Sequence, residues 1–126
     1  MTAQLEHANC TVTNADQTAK WMCALFGWHI RWQGPSLDGV ESLHIGNDRQ
    51  YLALYQPNQP VTEGSNSYKV KRGLNHIGVV VDDIHVVEQG VKSAGFTPEN
   101  HQDYAPGQRF YFHDQDNIEY EIVQYD

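Results

Sequence analysis

The chain has 126 residues, and its 16 acidic and 8 basic side chains give a net charge of −8 with seven neutral histidines. This length predicts a single domain, and the acidic balance argues against binding to nucleic acid or to an anionic membrane. Apolar runs are too short to cross a bilayer, and the first residues lack a signal-peptide pattern. Cys10 and Cys23 occupy apolar positions, which indicates small buried side chains in a cytoplasmic protein.

The first half of the chain predicts a strand, a helix and three further strands. The strand Leu5–Val12 contains His7, and Asn14 begins a helix that ends at Gly27 before a bulky aromatic residue. Thr18, Trp21, Met22 and Leu25 share one face of this helix. The three strands that follow are predicted at His29–Gln33, Glu41–Ile45 and Tyr51–Gln56.

The second half repeats this pattern at an offset of roughly 68 residues. The strand Leu74–Val81 contains His76, Asp82 and Asp83 begin a helix, and Gly95 ends it before Phe96. The last three strands are predicted at Thr97–His101, Arg109–His113 and Ile118–Tyr125. The sequence therefore predicts one domain of two modules, at about 4–56 and 74–126, joined by a polar linker at about 57–73.

Two histidines and one glutamate suggest a metal site. Side chains alternate along a strand, so His7 and His76 are predicted to face away from the helices. Glu121 lies in an otherwise apolar final strand, where a carboxylate is costly unless it is paired or binds a cation. Two imidazoles and one carboxylate are the ligand set of a facial metal site with open positions. Ala53, the counterpart of Glu121 in the first module, cannot bind a metal.

The paired histidine strands, the helix end Leu25–Trp28 and the segment Phe110–Asn117 give the chain a resemblance to the vicinal oxygen chelate superfamily. This group contains glyoxalases, bleomycin-resistance proteins and extradiol dioxygenases, and the resemblance covers nearly the whole chain. It implies an α+β fold in which two βαβββ modules form a cupped mixed sheet with helices on its outer face. It also implies a divalent metal inside the cup, bound by His7, His76 and Glu121.

The resemblance leaves the activity open between a dioxygenase and a lyase or isomerase acting on a small metabolite held through its oxygen atoms. Three protein ligands favour Fe²⁺ or Mn²⁺, with Zn²⁺ and Ni²⁺ as further candidates. Ala53 argues against glyoxalase I, which uses four protein ligands, and Asn9 stands where the fosfomycin-modifying thiol transferases have threonine. The alternative is a binding or antibiotic-resistance protein that uses the same cavity without catalysis. A homodimer is the expected assembly, and the metal ligands come from one chain or from two.

Several further side chains are predicted beside the metal. Tyr111 would donate a hydrogen bond to an oxyanion of the substrate, and His44 would transfer protons. Arg109 would bind a substrate carboxylate, and Asn9 and Tyr55 would also contact the substrate.

Each of these side chains has a simpler interpretation. Tyr111 would then be a packing residue, His44 a solvated one, and Glu121 the buried ion-pair partner of Arg109. The cluster Lys69, Lys71 and Arg72 would either attract an anionic substrate or be a solvated loop.

Overall fold

The computed structural model describes residues 1–36 and 40–126, and the chain divides into two compact units, Met1–Thr62 and Glu63–Asp126. The boundary falls inside the predicted linker. Each unit has a strand, a helix and three strands in that order, so the α+β class and the duplicated module are confirmed. That both modules form a single domain stays a prediction. No helix of the described residues is long and apolar enough to span a membrane.

The first unit contains a four-stranded mixed sheet covered by one helix. Its elements are β1 (His7–Thr11), α1 (Ala15–Phe26), β2 (His29–Pro35), β3 (Glu41–Gly46) and β4 (Tyr51–Gln56). The strand order is β1-β4-β3-β2, with β1 parallel to β4 and the other neighbours antiparallel. Helix α1 packs mainly on β3. Its apolar side chains and those of the sheet form the core of the unit, which includes Ala19, Met22, Leu43, Ile45 and Leu54.

The second unit has the same topology, preceded by a short 3₁₀ helix at Ser67–Lys69. Its elements are β5 (Ile77–Val80), α2 (Ile84–Ser93), β6 (Glu99–Tyr104), β7 (Gly107–His113) and β8 (Glu119–Tyr125), in the sheet order β5-β8-β7-β6. The expectation of a strand from Leu74 is wrong in extent, because β5 begins only after His76. The core includes Ile84, Val87, Val91, Phe110, Phe112, Tyr120 and Ile122.

The helix ends follow the local chemistry of the sequence. Asn14 accepts a hydrogen bond from the backbone N–H of Gln17, and Asp83 accepts two from the start of α2. Gly27 and Gly95 have φ angles of 70° and 93°, in the left-handed region that a glycine adopts without strain. The predicted glycine stops are therefore confirmed in both modules.

A matched pair of glutamines joins each helix to its sheet. The Oε1 atom of Gln56 in β4 accepts a hydrogen bond of 2.7 Å from the N–H of Ala15, at the start of α1. Gln124 in β8 accepts one of 2.8 Å from the N–H of Ile84, at the start of α2. Each bond satisfies an amide that lacks a partner within its own helix. The two modules therefore share this tertiary contact as well as their topology.

Strand pairing aligns the two sheets position by position. Ala53 lies between Asn9 and His44 of its neighbouring strands, and Glu121 lies between Gly78 and Tyr111. Ala53 is thus the counterpart of Glu121, as predicted. We call the sheet surface turned away from the helix the open face of each unit. The register irregularity between Ile30 and Trp32 adds one residue to β2, and this β-bulge interrupts the alternation of side chains.

Candidate functional site

The centre of the second unit's open face is occupied by His76, Glu121 and Arg109. The Nε2 atom of His76 lies 3.1 Å from Oε2 of Glu121, and Arg109 donates a hydrogen bond of 3.1 Å to Oε1 of the same carboxylate. The side chains of Glu121 and Arg109 are 15% and 16% exposed, and that of His76 is 35% exposed. The simpler interpretation of Glu121 as the ion-pair partner of Arg109 therefore describes only one of its two oxygens.

Tyr111 lies beside this group on β7, directly opposite Glu121 in the strand register. Its ring meets the His76 imidazole edge-on, with the ring centres 5.7 Å apart. Burial first, and then the charge of Glu121, raises the pKa of Tyr111 above its ordinary value. A side-chain hydrogen bond to Glu121 contributes to the same shift, and the hydroxyl keeps its proton at neutral pH.

A tyrosine that the sequence analysis did not single out also reaches His76. Tyr68, in the 3₁₀ helix of the predicted linker, donates a hydrogen bond of 2.5 Å to Oε1 of Glu119. Its hydroxyl oxygen is 3.4 Å from Nδ1 of His76. The bond to Glu119 is the main cause that raises the pKa of Tyr68 to about 12. The segment predicted as a linker thus also contains a short 3₁₀ helix, and an aromatic residue in a polar stretch was its sequence signal.

The same face continues towards its edge strand through a second histidine. The Nδ1 atom of His113 is 2.8 Å from Oε1 of Glu99 in β6, and its Nε2 atom is 3.5 Å from Oε2 of Glu119. Carboxylates and imidazoles thus alternate across the open face, with Arg109 as the cation at the end of the series. Glu99, Glu119 and Glu121 make this face rich in oxygen ligands.

The pair formed by His76 and Glu121 fits two neighbouring ligands of one metal ion. Bonds of about 2.1 Å to nitrogen and oxygen place adjacent ligand atoms about 3 Å apart, and Nε2 and Oε2 are separated by 3.1 Å. A Cβ added at Gly78, opposite Glu121, would meet no atom within 4 Å, so the strand leaves room there. In the part of the chain that the structure describes, no three His, Cys, Asp or Glu side chains form a complete metal-binding group.

The open face of the first unit has a different character. The His7 ring stacks on Tyr51 at 4.8 Å, and its Nδ1 atom is bonded to Glu6 at 2.9 Å. His44 also stacks on Tyr51, at 4.6 Å, and the guanidinium of Arg31 lies 4.6 Å from the centre of the same ring. Burial, followed by the nearby His7 and Arg31, lowers the pKa of His44. His44 is consequently neutral at neutral pH and can accept a proton.

The remaining predicted residues lie around these two faces. Asn9 is exposed on β1 opposite Ala53, and Tyr55 is half-buried on β4 opposite Ser42. The exposed cluster Lys69, Lys71 and Arg72 directly follows Tyr68 in the chain. His101 pairs with Glu88 of α2 at 2.5 Å.

Comparisons with known proteins identify the fold family. The family model described as Glyoxalase/Bleomycin resistance protein/Dioxygenase superfamily matches residues 4–122. A glyoxylase/bleomycin resistance protein/dioxygenase domain from Frankia sp. EAN1pec superimposes with a TM-score of 0.83 at 21% identity, over 100% of this chain and 94% of that one. The fosfomycin resistance protein FosX from Mesorhizobium loti gives a TM-score of 0.72 at 17% identity, over 98% and 92%.

A mutant of FosX from Listeria monocytogenes, in complex with Mn(II) and 1S,2S-dihydroxypropylphosphonic acid, gives a TM-score of 0.73 at 13% identity. The alignment covers 98% of this chain and 93% of that one. No curated protein matches the sequence. At these identities, the structural similarities define the fold alone.

Proposed function

Because the chain belongs to the glyoxalase/bleomycin resistance/dioxygenase superfamily, we propose that it is a divalent-metal-dependent enzyme acting on a small metabolite with two oxygen ligands. His76 and Glu121 are two of the proposed metal ligands. The observation that carries this proposal is the 3.1 Å approach of Nε2 to Oε2, with the other carboxylate oxygen held by Arg109. The Mn(II) present in the FosX complex supports Mn²⁺ as the ion. Fe²⁺ is the other favoured metal, ahead of Zn²⁺ and Ni²⁺.

His7 is the proposed third ligand. His7 corresponds to His76 in the repeated pattern, although His7 lies within β1 and His76 immediately precedes β5. The side chain of His7 is 46% exposed. Because Nδ1 is engaged by Glu6, Nε2 is the ring atom left to bind a metal. We propose a homodimer as the working assembly, and His7 would come from the same chain or from a second copy.

The other residues would bind the substrate and move its protons. When bound, the ion supplies Lewis-acid stabilisation of an anionic substrate or, as iron, the site of dioxygen chemistry. Tyr111 keeps its proton and would redirect its hydrogen bond from Glu121 to an oxyanion of the substrate. Arg109 would fix the orientation of Glu121 and contribute positive charge towards a substrate carboxylate. Asn9 and Tyr55 would contact the substrate, and neutral His44 would accept a proton from it.

Metal binding by purified protein tests the proposal. We expect wild-type protein, stripped and then titrated with Mn²⁺ in a calorimeter, to bind the ion stoichiometrically. His76→Ala and Glu121→Ala should each abolish that binding, because each removes one of three protein ligands. His85→Ala, on the exposed surface of α2, is the matched control and should bind as wild type. Undiminished binding by His76→Ala would contradict the proposal.

A second candidate function is metal-independent binding of an aromatic compound, as in a resistance protein. The open face of the first unit favours it, because Trp32 is 47% exposed and its ring lies 5.1 Å from that of His44. A Cβ at Gly34 would come within 3.0 Å of the Trp32 ring, so the glycine lets the indole lie against the strand. Wild-type protein that takes up no metal in the same titration would favour this second function.

A further inference from the structure

We infer that Arg31 makes the aromatic face of the first unit selective for planar compounds that carry a carboxylate. The inference rests on the second candidate function, because it names the class of compound that this face would bind, and it requires no metal. Arg31 lies at the β-bulge of β2 and was not among the expected site residues.

The β-bulge brings two consecutive side chains to the same side of the sheet. In a regular strand, neighbouring residues point to opposite faces. Arg31 is the extra residue between the paired positions Ile30 and Trp32. Its guanidinium lies 4.6 Å from the centre of the Tyr51 ring, and the Trp32 ring lies 5.1 Å from that of His44. A cation and an indole are therefore both presented on the open face, as bulges beside binding sites often re-aim a side chain.

An open cavity of about 520 Å³ lies against the Trp32 ring. Such a volume falls within the range of small-molecule pockets, roughly 300–1,000 Å³. His44 lines this cavity and also stacks on the Tyr51 ring that Arg31 contacts, so the positive charge lies next to one wall of the cavity. The lining combines aromatic and small polar side chains: Trp32, Pro35, Ser36, Ser42 and His44.

The charge of Arg31 is available to a ligand. The chain has 16 acidic side chains, but none of those that the structure describes forms an ion pair with Arg31. Its contact with Tyr51 is a cation–π interaction, which engages the charge and leaves the N–H donors for other partners. A guanidinium binds the two oxygens of a carboxylate side by side. An aromatic carboxylate can therefore stack on the rings and reach Arg31 with its charged group.

Three naphthalene compounds of similar shape and different charge test the inference by calorimetry at neutral pH. They are 2-naphthoate, neutral 2-naphthamide and cationic 2-naphthylmethylammonium. We expect wild-type protein to bind 2-naphthoate about three- to tenfold more tightly than the amide, and to bind the ammonium compound most weakly. This preference should shrink as the salt concentration rises, because Arg31 is exposed and exposed charges are screened.

Variants separate the charge of Arg31 from the stacking surface. Arg31→Gln should bind 2-naphthoate and 2-naphthamide equally, whereas Arg31→Lys should keep part of the preference. Trp32→Leu should weaken the binding of both compounds by roughly fivefold and leave their ratio unchanged. Arg49→Gln, at an exposed arginine in the turn between β3 and β4, is the matched control and should bind as wild type.

The outcomes distinguish this inference from the function on which it rests. Equal binding of the anion and the amide by wild-type protein, tighter binding of the cation, or a preference that persists in Arg31→Gln would overturn the role of Arg31 alone. If wild-type protein bound none of the three compounds, the second candidate function would be overturned together with the inference. The proposed metal site would be unaffected in either case, because Mn²⁺ titration decides it separately.

Discussion

The two open faces differ far more than the sheets that carry them. At aligned positions the first unit has Tyr51 and Ala53, where the second has Glu119 and Glu121. The first face is thus aromatic, with His7, Arg31 and His44 gathered around the Tyr51 ring. The second is a series of carboxylates and imidazoles. One scaffold therefore supports two kinds of surface chemistry within one chain.

On the sides that face the helices, the two sheets make the same kinds of contact. Both units have a side-chain cap at the start of the helix, a left-handed glycine after its end, and a glutamine from the last strand bonded to the first helical amide. These contacts provide hydrogen-bond partners for backbone groups at the helix ends that have none within the helix. The comparison teaches that the repeated residues hold the module together, whereas the residues that differ determine what each face can bind.

The largest effect is expected when the chemistry of the second face is placed on the first. Ala53→Glu introduces a carboxylate at a position that is 3% exposed, and Ser42 stands where the second unit has Arg109. An unpaired buried charge should destabilise the protein by about 3 kcal/mol in urea unfolding. Ala53→Gln, of equal size, should cost less. The double variant Ala53→Glu/Ser42→Arg should recover part of the loss, and equal costs for Glu and Gln would show that charge is not the cause.

Replacing either of the matched glutamines should destabilise the protein less, and by a similar amount in each unit. Gln56→Leu and Gln124→Leu each leave one helix amide without its acceptor, which should lower the free energy of unfolding by about 1–2 kcal/mol. Chemical denaturation of the two variants should give similar losses, with exposed Gln89→Leu as the control. A loss in one unit alone would show that the shared contact does not stabilise both modules equally.

The smallest change in stability is expected from the turns at Asn47 and Asp114, which occupy corresponding positions in the two units. Asn47 and Asp114 each accept two backbone hydrogen bonds through Oδ1, but Asp114 is buried. Burial raises the pKa of Asp114 above its ordinary value of 3.8, so the folded state holds this proton more tightly than the unfolded state. The tighter binding of this proton stabilises the folded state fully at pH values below the ordinary pKa. This stabilisation is lost as the pH rises through the raised pKa of the folded protein.

Asp114→Asn places the residue of the first turn in the second and removes this titration. The unfolding free energy of the wild type should therefore decline relative to that of Asp114→Asn as the pH rises, in urea titrations at a series of pH values. A constant difference between the two proteins would contradict the pKa shift.

Local chemistry explains what the sequence could predict. The helix caps at Asn14 and Asp83, the glycine stops and the repeat itself depend on neighbouring residues, and the counterpart of Glu121 followed from the offset alone. The bulge at Arg31 was not predictable from alternation, because an extra residue leaves no periodic signal. Tyr68 was missed for a related reason. Its place depends on the close approach of Gly73 to Ser67, a contact within an irregular segment that has no period to follow.

The alternating direction of side chains in β4 and β8 has an evolutionary consequence. Gln56 and Gln124 point to the helix, while their strand neighbours Tyr55 and Val123 lie on the opposite side of the sheet. A substitution on the outward positions of such a strand leaves the helix contacts in place, so a new pocket can be acquired one residue at a time. A chain of two such modules can therefore change the binding surface of one sheet while the contacts of both helices are kept.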